Sequence, residues 1–337
     1  MRSNALSETP AGSASAETGE TPGVLERIAS ARAERLRREG PGLGSTLPER
    51  RAVPVVPFDR APFVVSEIKR RSPSRGTLQE ELDPVAQASA YLSRGVRSLS
   101  ILTEEDAFGG SLEDLMAVKR RFPDAALLRK DFLLDEADID ASYRAGADAV
   151  LLIASLLDRD VLEAMHERAR ALGMQALVEV HDARELREIR ELRPPLVGIN
   201  ARDLRSFHVD RLTPVGLVSL VNWEAELIFE SGVSAEEDAR LAAESGFDGL
   251  LVGEAVMRDP DRLGEILRGF TGRAGGPVSP AQRAAGPERG GFWQVIAGTL
   301  RERGASGGPS RPLVKICGIT TREDAKRAVE LGADILG

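Results

Sequence analysis

Cysteine and histidine are scarce in this chain. The single cysteine, Cys317, cannot form an intramolecular disulfide or a multi-cysteine zinc site, which fits a reducing compartment. The three histidines, His166, His181 and His208, do not have the spacing of a metal-binding motif. We therefore expect no metal site.

Long apolar runs and a surplus of basic charge are also missing. No stretch is long enough for a transmembrane helix, and residues 1–20 lack the apolar segment of a secretory signal. The 45 basic and 53 acidic side chains give a formal charge of -8, which argues against general binding to nucleic acid or to an anionic membrane. We expect a cytoplasmic protein with a disordered tail over residues 1–20 and a small-molecule partner.

The chain does contain a regular alternation of strand and helix patterns. Eight apolar runs, each followed by a helical pattern, lie at residues 63–69, 98–103, 127–131, 149–154, 175–180, 196–200, 227–230 and 249–253. This count favours an α/β fold of the (β/α)8 TIM-barrel type, with an open doubly wound sheet as the alternative. An amphipathic pattern over residues 24–38 adds an N-terminal helical segment, so the barrel domain is assigned to residues 21–270.

The composition changes after residue 270. Frequent Gly, Pro, Ala and Arg predict a linker over residues 271–312. Residues 313–337 then show one strand pattern and one helix pattern. So short a segment cannot bury a core of its own, and we interpret it as an incomplete strand–helix unit.

Charged side chains stand at the ends of the apolar runs. Lys130 lies in the third run, and strand periodicity places Glu67 and Lys69 on one side of the first. Charge at the end of a buried strand is destabilising unless the strand ends meet at a solvated, functional mouth. The alternatives are a structural Glu67–Lys69 ion pair and an outward, solvated Lys130.

Four motifs resemble one enzyme family in their order and intervals. They are Ser66-Glu67-Ile68-Lys69-Arg70-Arg71-Ser72-Pro73-Ser74, Leu128-Arg129-Lys130-Asp131-Phe132, Gly198-Ile199-Asn200-Ala201-Arg202-Asp203-Leu204 and Glu230-Ser231-Gly232. Residues 22–270 thereby resemble indole-3-glycerol phosphate synthase. The resemblance implies a lyase of tryptophan biosynthesis that converts 1-(2-carboxyphenylamino)-1-deoxyribulose 5-phosphate into indole-3-glycerol phosphate, water and carbon dioxide. It also implies that no cofactor or metal is required.

The resemblance implies roles for the charged strand ends. Lys130 matches the general acid, and Glu179 matches the catalytic glutamate, for which the role of base is chemically suitable. Lys69 suits a second proton donor, and Glu67 would orient or balance the lysines. We interpret His181, two residues after Glu179, as a loop or helix-cap residue.

The remaining matched positions are assigned to substrate binding. They are Ser72, Phe108, Asn200, Arg202, Glu230, Ser231, Gly232, Gly253 and Glu254. Backbone amides of the last two turns would hold the phosphate, with Glu254 contributing its amide and not its carboxylate. Ser72, Asn200 and Arg202 would hold the anthranilate side, and Phe108 either covers the substrate ring or anchors its loop.

The run Val314-Lys315-Ile316-Cys317-Gly318-Ile319-Thr320 resembles the first strand of phosphoribosylanthranilate isomerase, in which the cysteine is a general base. The sequence thus indicates a fusion with an isomerase domain as possible partner, of which only the start is here. We predict no isomerase activity for this chain.

Two other functions remain open at the level of sequence. One is a phosphate-handling barrel in which Lys130 forms a Schiff base, as in aldolases. The other is a non-catalytic barrel that serves as a scaffold or regulatory partner, which the set of Lys69, Lys130 and Glu179 disfavours.

Overall fold

The structure is a computed structural model that describes residues 24–58, 63–72, 76–203, 208–270, 281, 314–317 and 321–336. The predicted disordered tail (1–20) and, apart from residue 281, the predicted linker (271–312) lie outside these residues. Within the described part of the chain, no helix combines the length and apolarity that crossing a membrane requires.

Eight parallel strands close into one barrel. They are β1 (Val64–Ile68), β2 (Ser98–Leu102), β3 (Ala126–Lys130), β4 (Ala149–Ile153), β5 (Gln175–Val180), β6 (Leu196–Asn200), β7 (Glu226–Glu230) and β8 (Gly249–Val252). Each strand pairs with the next along the chain, and β1 also pairs with β8. The expected TIM barrel is confirmed, and the open sheet is excluded because no barrel strand is left with a free edge.

Helices follow the strands on the outside of the barrel. They are α1 (Val24–Glu39), which precedes β1, and then α2 (Pro84–Ser93), α3 (Leu112–Arg121), α4 (Glu136–Ala145), α5 (Arg159–Ala171), α6 (Ala183–Glu188), α7 (Leu212–Leu217), α8 (Glu236–Glu244), α9 (Glu254–Arg258) and α10 (Arg262–Gly269). One core fills the space between strands and helices, and a second fills the barrel interior. Strands buried on both faces explain why the sequence shows continuous apolar runs.

Local capping explains where several helices begin. The Asp83 carboxylate accepts hydrogen bonds from two amides at the start of α2, and the Ser111 hydroxyl accepts one from Asp114 N at the start of α3. The same pattern predicts Ser234 as the cap of α8, and this is wrong. Ala235 is the N-cap, and the Asp238 carboxylate instead accepts hydrogen bonds from the amides of Ser234 and Ala235.

Helix α1 is fastened to the carboxyl end of β3 and to α4. Arg32, which is 3% exposed, contacts the carboxylates of Asp131 at 3.3 Å and Asp138 at 2.7 Å. Leu25 and Ile28 of the same helix pack against the barrel-interior core. The N-terminal segment is therefore held by buried charge as well as by apolar contact.

The described part of the C-terminal segment forms a small β-α-β unit. Strand β9 (Lys315–Ile316) pairs in parallel with β10 (Ile335–Leu336), and α11 (Arg322–Glu330) connects them. Thr321 caps α11 through a hydrogen bond from Asp324 N to its hydroxyl. Cys317 directly follows β9 and is exposed.

Candidate active site

One cavity of 510 Å³ opens at the carboxyl ends of the barrel strands. All the positions that the sequence assigns to catalysis or substrate binding line it: Glu67, Lys69, Ser72, Phe108, Lys130, Glu179, Asn200, Arg202, Glu230, Ser231, Gly232, Gly253 and Glu254. The volume lies in the ordinary range of small-molecule sites, which is about 300–1,000 Å³. Residues that are far apart in sequence meet because parallel strands all end at the same rim.

Lys130 lies at the centre of the charged groups in this cavity. Its Nζ is 3.2 Å from Glu179 Oε2 and 3.0 Å from Glu230 Oε2. Burial disfavours the ammonium, but the carboxylates of Glu230, Glu179 and Glu67 outweigh burial and raise the pKa of Lys130. The side chain is therefore a charged ammonium that lines the cavity, and the outward, solvated alternative is wrong.

The two carboxylates that contact Lys130 differ in their ionisation. Burial would raise the pKa of Glu179, but Lys130 and His181 lower it well below its usual range. For Glu230, burial and the neighbouring Glu179 raise the pKa, and Lys130 only partly offsets them. Glu179 thus carries the more stable negative charge of the two.

Glu67 and Lys69 form an ion pair at the end of β1 beside this group. Burial opposes the charge on Glu67, but Lys69 and Lys130 lower the pKa of its carboxyl. Both side chains also line the cavity. The pair expected from strand periodicity is therefore present, and it is part of the site.

The turn after β7 has an unusual backbone. Ser231 and Gly232 both have positive φ, 66° and 80°, directly after Glu230. A Cβ on Gly232 would lie 2.8 Å from Val209 Cγ1, so both the conformation and the available space favour glycine there. This tight turn places the Ser231 and Gly232 backbone on the cavity wall.

The turn after β8 leads into α9. Glu254 is the first residue of α9, and its Oε1 is 3.4 Å from Arg258 Nη2, one turn further along the helix. This contact keeps the carboxylate paired with a cation. The expectation that Glu254 meets an anion through its amide and not its carboxylate stays a prediction.

Phe108 and Ser72 come from loops that follow β2 and β1, respectively. The Phe108 ring packs against Phe132 at 6.3 Å between centroids and also lines the cavity. Ser72 is buried in a two-residue strand that pairs with Gly76. Arg70, next to these residues, forms an ion pair with Asp114 and so anchors the loop.

Several cavity residues are absent from the sequence-based assignment. Arg211, Arg258 and Arg262 line the cavity near the last two turns. They lie on helices or in a loop, away from the strand ends where the sequence concentrates its charged motifs. His181, outside the cavity lining, lies in the loop after β5 as the sequence indicates, and its Nε2 is also 3.3 Å from Glu179 Oε1. The sequence does give one indication of this contact: His181 lies two residues after Glu179, which would place both side chains on the same side of an extended strand.

No group of three or more His, Cys, Asp or Glu side chains within the described ranges has the geometry of a metal site. His166 is half-buried on α5, and His208 is exposed.

A profile of the family described as indole-3-glycerol phosphate synthase matches residues 54–268, which is more than half of the chain. The chain belongs to the indole-3-glycerol phosphate synthase family. The enzyme of that name from Exiguobacterium sibiricum is 41% identical over 195 residues, 58% of this chain and 75% of the relative. Indole-3-glycerol phosphate synthase 2 of Streptomyces coelicolor is 43% identical over 209 residues, 62% of this chain and 80% of the relative.

A solved structure, 3-hexulose-6-phosphate synthase from Salmonella typhimurium, matches with a TM-score of 0.51. The match covers 62% of this chain and 97% of that chain at 15% sequence identity. At this identity the likeness shows the shared barrel fold alone.

Proposed function

We propose that this barrel catalyses the reaction of its family, the conversion of 1-(2-carboxyphenylamino)-1-deoxyribulose 5-phosphate into indole-3-glycerol phosphate, water and carbon dioxide. The observation that carries the proposal is the half-buried Lys130 ammonium, held between two carboxylates in a cavity of suitable size. Such a group can protonate an oxygen as charge develops on it.

Lys130 is the acid of the ring-closing step. The anthranilate ring carbon attacks the ketose carbonyl, whose oxygen becomes a hydroxyl and receives the Lys130 proton. Since the surrounding carboxylates keep Lys130 protonated, it enters the step in the required form. Decarboxylation then releases carbon dioxide from the same ring carbon, which made the attack and carries the carboxylate.

Dehydration needs a second donor and a base. Lys69 donates a proton to the departing hydroxyl, and Glu179 accepts a proton so that the indole ring becomes aromatic. The lowered pKa of Glu179 keeps it ionised and ready to accept. Glu67 pairs with Lys69 and keeps that ammonium at the end of β1.

The two ends of the cavity suit the two ends of the substrate. Backbone amides of the turns after β7 and β8 receive the phosphate, and the nearby arginines on the cavity wall add positive charge. Ser72, Asn200 and Arg202 hold the anthranilate end, and Phe108 covers its ring. A carboxylate and a guanidinium can pair through two hydrogen bonds, which suits Arg202 for this role.

The charge on Lys130 argues against Schiff-base chemistry. An amine must be neutral to attack a carbonyl, and the three carboxylates around Lys130 favour its charged form. Borohydride with a keto-sugar phosphate should therefore leave the protein unmodified while indole-3-glycerol phosphate forms. Turnover by the purified protein would also exclude a purely non-catalytic barrel.

The decisive experiment follows the indole chromophore after addition of the substrate. We expect Lys130→Ala and Glu179→Gln each to lower kcat by about 10²- to 10⁴-fold, the usual contribution of a positioned acid or base. Lys326→Ala, at an exposed position of α11, is the matched control and should keep the wild-type rate. Undiminished activity in Lys130→Ala would refute the acid assignment.

We also propose that residues 313–337 are the start of an isomerase-like barrel joined to the synthase. The β-α-β unit with Cys317 at the end of its first strand supports this assignment, because catalytic residues of such barrels lie at strand ends. The described residues of this segment supply only this unit, and we expect no isomerase turnover from the chain.

A further inference from the structure

His181 follows β5 directly and lies between two carboxylates. Its Nε2 is 3.3 Å from Glu179 Oε1, and its Nδ1 is 3.0 Å from Glu185 Oε2. The Nε2 contact is an ion pair without the alignment of a good hydrogen bond. One edge of the ring therefore faces Glu179, and the other faces Glu185 near the start of α6.

Glu185 is itself fixed, which gives the ring a defined orientation. The Asp182 carboxylate caps α6 by accepting hydrogen bonds from Arg184 N at 2.7 Å and from Glu185 N at 2.9 Å. Glu185 is 5% exposed, and its Oε2 also accepts a hydrogen bond from His181 N at 2.7 Å. The Glu185 carboxylate thus holds both the backbone and the ring of His181.

The arrangement favours the charged form of the ring. A neutral imidazole has one N–H donor, whereas an imidazolium has two and can serve both carboxylates. Burial opposes the charge, but Glu179 and Glu185 outweigh burial and raise the pKa of His181 to about 10. Within the described residues, these are the two charged groups in contact with the ring. Beyond Glu179, the next charged groups are Lys130 and Glu230.

We propose that the His181 imidazolium is a positioning residue that holds Glu179 for catalysis. It contacts Oε1 of Glu179, so that the other oxygen, Oε2, is directed toward Lys130 and the cavity. It also supplies positive charge on the side of Glu179 that lies away from Lys130. The inference rests on the proposed function, in which Glu179 is the base.

Loss of the imidazolium charge should change the pH dependence of the reaction. Lys130 is shared between Glu179 and Glu230, so it does not neutralise Glu179 alone. Without the imidazolium, ionisation of Glu179 is less favourable and its pKa rises. On the acid limb of the kcat/KM profile, the rate falls because the base becomes protonated. A higher pKa of Glu179 must therefore move this limb to higher pH.

The test compares His181→Gln with His181→Arg, and with His166→Gln as the matched control on α5. We expect His181→Gln to lower kcat by about 10-fold or more with KM little changed, and to move the acid limb up by about one pH unit or more. His181→Arg restores a cation that can pair with both carboxylates, so it should return the limb toward the wild-type position. His166→Gln should match the wild type.

An NMR titration of the His181 ring gives a readout that does not depend on turnover. The resonance is assigned by its loss in His181→Gln, and it should report a charged ring at about pH 7.5, well below the raised pKa. A neutral ring at that pH overturns the proposal, as does a loss of kcat in His181→Gln with an unmoved acid limb. A wild-type protein that has a charged ring but forms no indole-3-glycerol phosphate would instead refute the proposed function.

Discussion

Two glycines on the barrel wall create the space that two site carboxylates occupy. A Cβ on Gly198 of β6 would overlap Glu230 Oε1, and one on Gly253 would lie 2.5 Å from Glu67 Oε1. Neither contact is possible for real atoms, so either carboxylate would have to move. Gly198 therefore acts on the site through Glu230, which contacts Lys130 at 3.0 Å.

Gly198→Ala should impair catalysis while the barrel remains folded. The atom that must give way is the end of a flexible side chain, and Gly198 has no left-handed backbone to strain. Displacing Glu230 removes one of the two carboxylates that hold Lys130, and we expect kcat/KM to fall by about 10-fold or more. The indole assay measures this, and circular dichroism reports on the fold.

Gly216→Ala is the control for that change. Gly216 lies in α7, and an added Cβ there would meet nothing within 4 Å. Alanine should be neutral or slightly stabilising at this helical position. If Gly198→Ala retained the activity of Gly216→Ala, the view that Gly198 positions Glu230 would be wrong.

At the scale of single residues, the sequence indicates which residues belong to the site, but it says less about which of them contact each other. Lys130 could be recognised because it interrupts an apolar strand, and Glu67 because it shares a strand face with Lys69, whereas Glu179 was assigned by the family resemblance. The pairing of Lys130 with Glu230 could not, because the distance between β3 and β7 across a barrel depends on its closure. The role of Gly198 beneath Glu230 depends likewise on the register that pairs Asn200 with Glu230.

Among the elements, α1 has a strongly polar attachment to the barrel. Arg32 contacts Asp131, the residue after Lys130, and also Asp138 on α4. Asp131 has a second cationic partner, because Arg129 lies 2.8 Å from its carboxylate. Asp138 relies more on Arg32 for its counter-charge. The burial of all these charges makes the cluster sensitive to loss of one member.

We expect Arg32→Met to lower the free energy of unfolding by about 3 kcal/mol, because it removes a counter-charge from buried carboxylates. Urea denaturation measures the change. Arg38→Met, on the same helix with a side chain that is 64% exposed, should have little effect. Equal midpoints for the two variants would show that the buried ion pairs do not contribute net stability.

The elements themselves were largely predictable, and the exceptions have physical causes. β5 and β6 have the predicted bounds, because apolar runs that end in polar residues define buried parallel strands well. The sequence pattern predicts Ser234 as the N-cap of α8, whereas the N-cap is Ala235. The prediction is wrong because the side chains of Ser234 and Asp238 can both accept hydrogen bonds from amides at the start of the helix. The structure uses the Asp238 carboxylate, which can accept several amide hydrogen bonds at once.

For the whole molecule, closure of the barrel separates the synthase from the C-terminal segment. β1 pairs with both β2 and β8, so β9 has no barrel edge to join. Instead β9 pairs with β10, and the side chains of Val329 and Leu331, in and just after α11, are 57% and 77% exposed. The site residues all precede residue 271.

Removal of residues 271–337 should therefore leave the synthase kcat within about twofold of the full chain, since the described residues of this segment supply no group to the cavity. The full chain should also fail to convert phosphoribosylanthranilate, because the described residues around Cys317 form a single β-α-β unit. A loss of synthase activity of about tenfold on truncation would place part of the C-terminal segment in the working enzyme. Isomerase turnover that Cys317→Ala abolishes would show that this short unit builds a site of its own.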